Sequence, residues 1–155
     1  MKLLLSSSLL FIFLTTSYSQ NTDSLCQKNT AKIDSITNGV IQSLNLSNNY
    51  WIYYQAPKWA NGYKLYILDI NNRTEYRIDS FSKKRMKKNK IRNSQMKDIL
   101  LLDSIKEKKC SIVLMDDGGE GYLKRINSGK LTYISYYLGT TSKEMEDLLV
   151  MLKFW

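Results

Sequence analysis

The chain reads as an α+β domain of order α-βββ-α-βββ-α, an antiparallel sheet of hairpins with helices packed on one face. Three features predict it. Short runs rich in Tyr, Trp, Ile and Val are separated by Asn- and Gly-containing turns, three stretches carry apolar residues at helical spacing, and Pro57 is the only proline in 155 residues.

The first segment stands apart from that pattern. Met1-Lys2 give a positive start, Leu3 to Leu14 form an apolar stretch interrupted by Ser6, Ser7 and Ser8, and Thr15 to Ser19 end in small residues before Gln20. A charged start, an apolar run and a small-x-small cut site are the grammar of a secretory signal peptide. A membrane-spanning helix wants about 20 apolar residues, and this run falls short. Residues 1–19 are therefore expected to be cleaved, leaving residues 20–155 as a single α+β domain that is secreted or periplasmic.

In the mature part, Thr22 or Asp23 can cap a helix over residues 24–44, with Cys26, Ile33, Ile36, Val40 and Leu44 on one face. Residues 45–49 are turn-like, and a strand follows from Tyr50 to Gln55. A loop containing Pro57 and Trp59 leads to the clearest hairpin, Tyr63–Ile70 and Thr74–Ser80 around Asn71-Asn72-Arg73. In its second strand Thr74, Tyr76 and Ile78 alternate with Glu75, Arg77 and Asp79, as in a sheet with one wet face.

A basic run then leads into a helix over residues 94–108, built on Met96, Ile99, Leu100 and Ile105. Cys110 to Met115 is apolar on both faces and reads as a central strand. Tyr122–Ile126 and Leu131–Leu138 flank Asn127-Ser128-Gly129-Lys130 as a second hairpin. Thr141 and Glu144 form a capping box for a last helix that buries Met145, Leu148, Leu149 and Leu152. The stretch 95–100 resembles 144–149, a six-residue match of the kind on which amphipathic helices converge.

Charge and chemistry narrow the function more than they name it. The net charge is +9, yet residues 83–92 alone hold seven cations and no acid. The basicity belongs to one segment. Such a run can neutralise phosphates or bind acidic glycans and anionic head groups, or it can be a self-repelling solvated loop. Export disfavours nucleic acid as its partner. The chain has no histidine, which removes Ser-His-Asp and Cys-His nucleophile systems and the usual zinc sites. No phosphate loop, dinucleotide fingerprint or calcium loop is present. No catalytic residue, metal or cofactor is assigned.

Asp116, Asp117 and Glu120 around Gly118-Gly119 are the one acidic constellation. They are read as a tight turn, where Asp-Gly and Gly-Gly supply positive φ, with general-acid or cation-binding chemistry as the competing reading. Cys26 and Cys110 are a candidate disulfide, which the exported compartment permits. Eleven tyrosines and three tryptophans suit the half-buried surface of a sheet, and an open row of them would bind sugars, peptides or proteins. The candidate contact residues are Trp59, Tyr53, Tyr66, Lys83, Lys84 and Arg85.

The expected function is a non-catalytic binding or inhibitor-type module acting in the cell envelope or outside the cell. Its partner would be an envelope or extracellular protein, a glycan or an anionic surface. A small carboxylate-dependent hydrolase and a structural accessory subunit are the alternatives.

Overall fold

A computed structural model describes residues 27–58, 61–82, 86–101, 108–113, 119–139 and 143–152. Helix α1 covers residues 27–43. Four strands follow: β1 (Tyr50–Ala56), β2 (Lys64–Asp69), β3 (Thr74–Asp79) and β4 (Met86–Lys90). After α2 (Asn93–Leu101) come β5 (Lys108–Val113), β6 (Gly119–Asn127), β7 (Lys130–Gly139) and α3 (Lys143–Met151). The fold is α+β. All seven described strands join one sheet in the order β4-β3-β2-β1-β6-β7-β5. The first six of that list are antiparallel neighbours, and β5 pairs parallel with β7.

Three expectations need correction. The order is α-ββββ-α-βββ-α, because Met86–Lys90 of the basic run is a strand rather than a loop. Its residues offer no apolar alternation, because all five side chains are exposed and neither face is covered; its pairing with β3 supplies the order instead.

The stretch beginning at Cys110 lies in β5 at the far edge of the sheet, not at its centre. An apolar run in the sequence does not report a strand's place in the hydrogen-bonding order. The third correction concerns the layers: the helices cover both faces of the sheet, not one. Ile33 of α1 packs with Ile52, Tyr54, Leu65, Ile67, Tyr76, Ile78, Tyr122 and Tyr136. On the other face Met96 and Ile99 of α2, with Leu149 of α3 and Leu152 just beyond it, cover Trp51, Tyr53, Leu68, Leu123, Tyr133 and Tyr137. The central strand β1 therefore buries four successive residues, Trp51 to Tyr54. A strand covered on both sides has no wet face to alternate with.

The two halves of the chain do not superimpose in plan. β1 to β4 form a meander, whereas β5 skips its neighbour in sequence and pairs with β7. The helix resemblance also slips by one position. In α2 Ile99 is buried and Leu100 exposed, while in α3 the counterpart of Leu100, Leu149, is the fully buried residue.

Turn chemistry fixes the strand ends. Ser128 (φ 51°) and Gly129 (φ 75°) are both left-handed, the conformation of a two-residue hairpin loop whose twist matches the strands. Two turns meet around Asp69, which is fully buried. Its carboxylate accepts hydrogen bonds from the Ser47 amide (3.0 Å) and hydroxyl (2.5 Å), the Asn72 amide (3.2 Å) and the Asn72 side-chain amide (2.8 Å). Four donors satisfy a charge that would otherwise be costly to bury. That stitch ties the α1–β1 connection to the β2–β3 hairpin. Among the described residues no helix is long and apolar enough to cross a membrane.

Candidate functional site

The aromatic residues divide between the two faces of the sheet, and most of them are core. Under α1, Tyr54 stacks on Tyr63 at 5.6 Å and on Tyr122 at 5.9 Å between ring centroids. The Tyr122 hydroxyl lies 3.0 Å from the Thr37 hydroxyl, and Lys124 donates to Asp34 at 2.8 Å beside it. These contacts give α1 a polar as well as an apolar seat. Burial pushes the phenols of Tyr54 and Tyr136 up to about 12, and that of Tyr122 further in the same direction.

On the opposite face a row runs across β1, β2 and β3. Tyr53, Tyr66 and Arg77 are register partners in sequence. Tyr66 stacks on Tyr53 at 5.9 Å, and the Arg77 guanidinium lies 5.7 Å from its ring centroid. The Tyr53 hydroxyl continues the row to the Tyr137 hydroxyl at 3.1 Å. Burial raises the Tyr53 phenol to about 12 and the Tyr137 phenol beyond that. Tyr137 crosses β6 at Gly121, where an added Cβ would lie 2.5 Å from the Tyr137 hydroxyl and 2.5 Å from the Tyr54 carbonyl oxygen. The glycine is what lets the ring through.

The outer end of this row opens into a groove of about 230 Å³ lined by Lys64, Tyr66, Arg77, Ile78, Asp79, Ser82 and Lys87. Its construction follows from strand register. Lys64 is opposite Asp79, Tyr66 is opposite Arg77, and Arg77 is opposite Lys87, so alternate residues of β2, β3 and β4 project to one side. Arg77 is held by the Glu75 carboxylate through its Nε and by the Tyr66 ring. Three cations and one carboxylate line the groove, with a phenol and a serine hydroxyl. This set is dominated by donors. It suits a carboxylate, sulfate or phosphate group, with the Arg fork and the Lys point charges acting together.

The faces of the Tyr66 ring are occupied by Tyr53 and Arg77, so its hydroxyl and edge, not a stacking face, are what it can offer.

Of the expected contact residues, Tyr66 lines this groove and Tyr53 lies behind it, 2% exposed. Tyr53 supports Tyr66 rather than reaching solvent. Trp59, Lys83, Lys84 and Arg85 lie outside the described residues, although Lys83, Lys84 and Arg85 join Ser82 to β4 along the chain. Cys26, Asp116 and Asp117 also lie outside them, and only the backbone of Cys110 is described, within β5. Glu120 forms an ion pair with Lys32 of α1 at 3.0 Å.

Sequence reading missed Lys64, Arg77 and Asp79. The signal was present in the Glu75, Arg77, Asp79 alternation on β3, but that alternation does not say which neighbouring strands complete the surface. Among the described residues no cluster of three or more His, Cys, Asp or Glu side chains could hold a metal ion. No protein-family model matches the chain, and neither a curated protein nor a solved structure is significantly similar to it.

Proposed function

We propose that the protein is an exported, non-catalytic binding module of the cell envelope or extracellular space that engages an anionic group on its partner. The signal-like residues 1–19 support export. The observation that carries the binding reading is the groove. It places Lys64, Arg77 and Lys87 around the accessible part of Tyr66, directly beside the strongly basic edge of the sheet.

Poly-glutamate is a suitable probe, with poly-lysine and neutral dextran as controls. Binding to poly-glutamate should fall at least about fivefold in a Lys64→Ala/Lys87→Ala variant and should weaken steeply as salt rises, because exposed charges are screened over about 8 Å at physiological ionic strength. Equal capture of poly-glutamate and dextran, or no loss in the double variant, overturns the reading.

A further inference from the structure

The outer side of β4 presents a second kind of recognition surface. β4 is the terminal strand of the sheet and pairs with β3 from Met86 opposite Ile78 to Lys90 opposite Thr74. Among the described residues no strand lies beyond it. All five of its side chains are exposed, over a length of about 17 Å at the usual rise per residue. An unpaired strand edge is a row of amide donors and carbonyl acceptors awaiting a complementary backbone.

The side chains state which backbone. Lys87 projects to the groove side, opposite Arg77, while Lys88 and Lys90 project to the α1 side, where Lys88 lies 5.6 Å from the Tyr76 ring centroid. Both faces of an added strand would therefore meet cations. Residues directly opposite in antiparallel strands sit about 4.5–5.5 Å apart, and like charges there oppose pairing. Two copies of β4 would place lysine against lysine along the shared edge, so self-pairing is disfavoured. A segment with acidic side chains on both faces is favoured.

We propose that β4 is a strand-addition site that takes an extended, acidic segment of a partner protein, with main-chain pairing to Met86–Lys90 and one acidic side chain beside Lys87 at the groove. The proposal rests on the reading of the groove as an anion-contact surface and adds a backbone requirement to it.

That requirement separates the two experimentally. The isotope-labelled full chain is titrated with a synthetic seven-residue peptide rich in Glu and Val, and with the same peptide N-methylated at alternate backbone amides in each of the two possible phases. Calorimetry gives the affinities, and amide hydrogen exchange reports on Met86–Lys90. The unmodified peptide should slow exchange of the outward-facing β4 amides at least tenfold. One of the two N-methylated phases should bind at least tenfold more weakly, and so should the unmodified peptide on a Lys87→Glu/Lys88→Glu variant. Equal affinity of all three peptides, with poly-glutamate binding intact, overturns strand addition and leaves the groove reading standing. Absence of β4 protection by the unmodified peptide also overturns strand addition. Loss of poly-glutamate binding as well removes both.

Discussion

In β1, Trp51, Ile52, Tyr53 and Tyr54 are all buried, whereas every residue of β4 is exposed, although both strands belong to one sheet. The same backbone geometry serves opposite ends. At the centre, two helical layers cover both faces and the strand becomes a store of buried aromatic area. At the edge, neither face imposes an apolar requirement, and lysines take the positions. The difference teaches that, among the described strands, the exposed charged side chains of β4 lie where the helical layers run out. The groove occurs at that boundary, with Tyr66 packed against the buried cluster on one side and Lys87 of β4 on the other.

The sharpest way to break the contrast is truncation at the centre. Trp51→Ala should cost about 3–5 kcal/mol, the usual range for emptying a large aromatic site in a core. Urea denaturation followed by far-UV circular dichroism measures it, and a loss below about 1 kcal/mol would contradict the placement of Trp51 beside Tyr133 and Arg125.

A smaller loss is expected at Gly121. Its φ is not the issue; the space for a methyl group is taken by the Tyr137 hydroxyl and the Tyr54 carbonyl. Gly121→Ala should cost about 1–3 kcal/mol by overpacking. A Tyr137→Phe background should recover part of the loss, because it removes one of the two closest atoms.

Alkali probes the same aromatic rows without mutation. Tyr53, Tyr54 and Tyr136 have phenols raised to about 12 by burial, above the ordinary value of 10. Each is protonated and neutral in the folded protein while the unfolded chain has begun to lose its protons. Their contribution is fully present below pH 10 and is lost as pH rises from 10 towards 12. Stability should fall across that window, and phenolate absorbance from these residues should appear together with loss of the fold. Early ionisation of all the tyrosines, with the fold intact, would contradict the burial of these rows.

The least effect on stability belongs to β4. Lys88→Ala should change it by no more than about 0.5 kcal/mol, as for other exposed positions away from buried features, with only a cation–aromatic contact to Tyr76 to lose. A larger loss would mean that β4 is a structural strand in the same sense as β1.

Much of this architecture was legible from local signals. The Asn71-Asn72-Arg73 and Ser128-Gly129 turns were legible from their polar, Asn- and Gly-containing composition, although the left-handed positions fall on Arg73 (φ 49°), Ser128 (φ 51°) and Gly129 (φ 75°), of which only the glycine adopts that backbone freely. Ile33 and Leu149 were found from helical spacing alone. What escaped was the nonlocal information. Nothing within the Tyr50–Gln55 run announces that it is covered twice, because tyrosine suits both a wet and a dry face. Nothing in the lysine-rich composition of the basic run announces a strand either: Met86–Lys90 owes its order to β3. The site was half legible for the same reason. Tyr66 was identified from composition, while its neighbours Lys64, Arg77 and Lys87 are assembled by register across three strands.

The parallel pairing of β5 has a consequence in time. Lys108 to Val113 leave the ribosome before Ile134 to Gly139, the residues they must pair with. β6 and β7 have to be made, and the hairpin between them closed, before the edge that receives β5 exists. Pairings that wait on distant sequence slow folding and leave apolar strand exposed meanwhile. A nascent chain therefore carries an unplaced strand until β7 has been made.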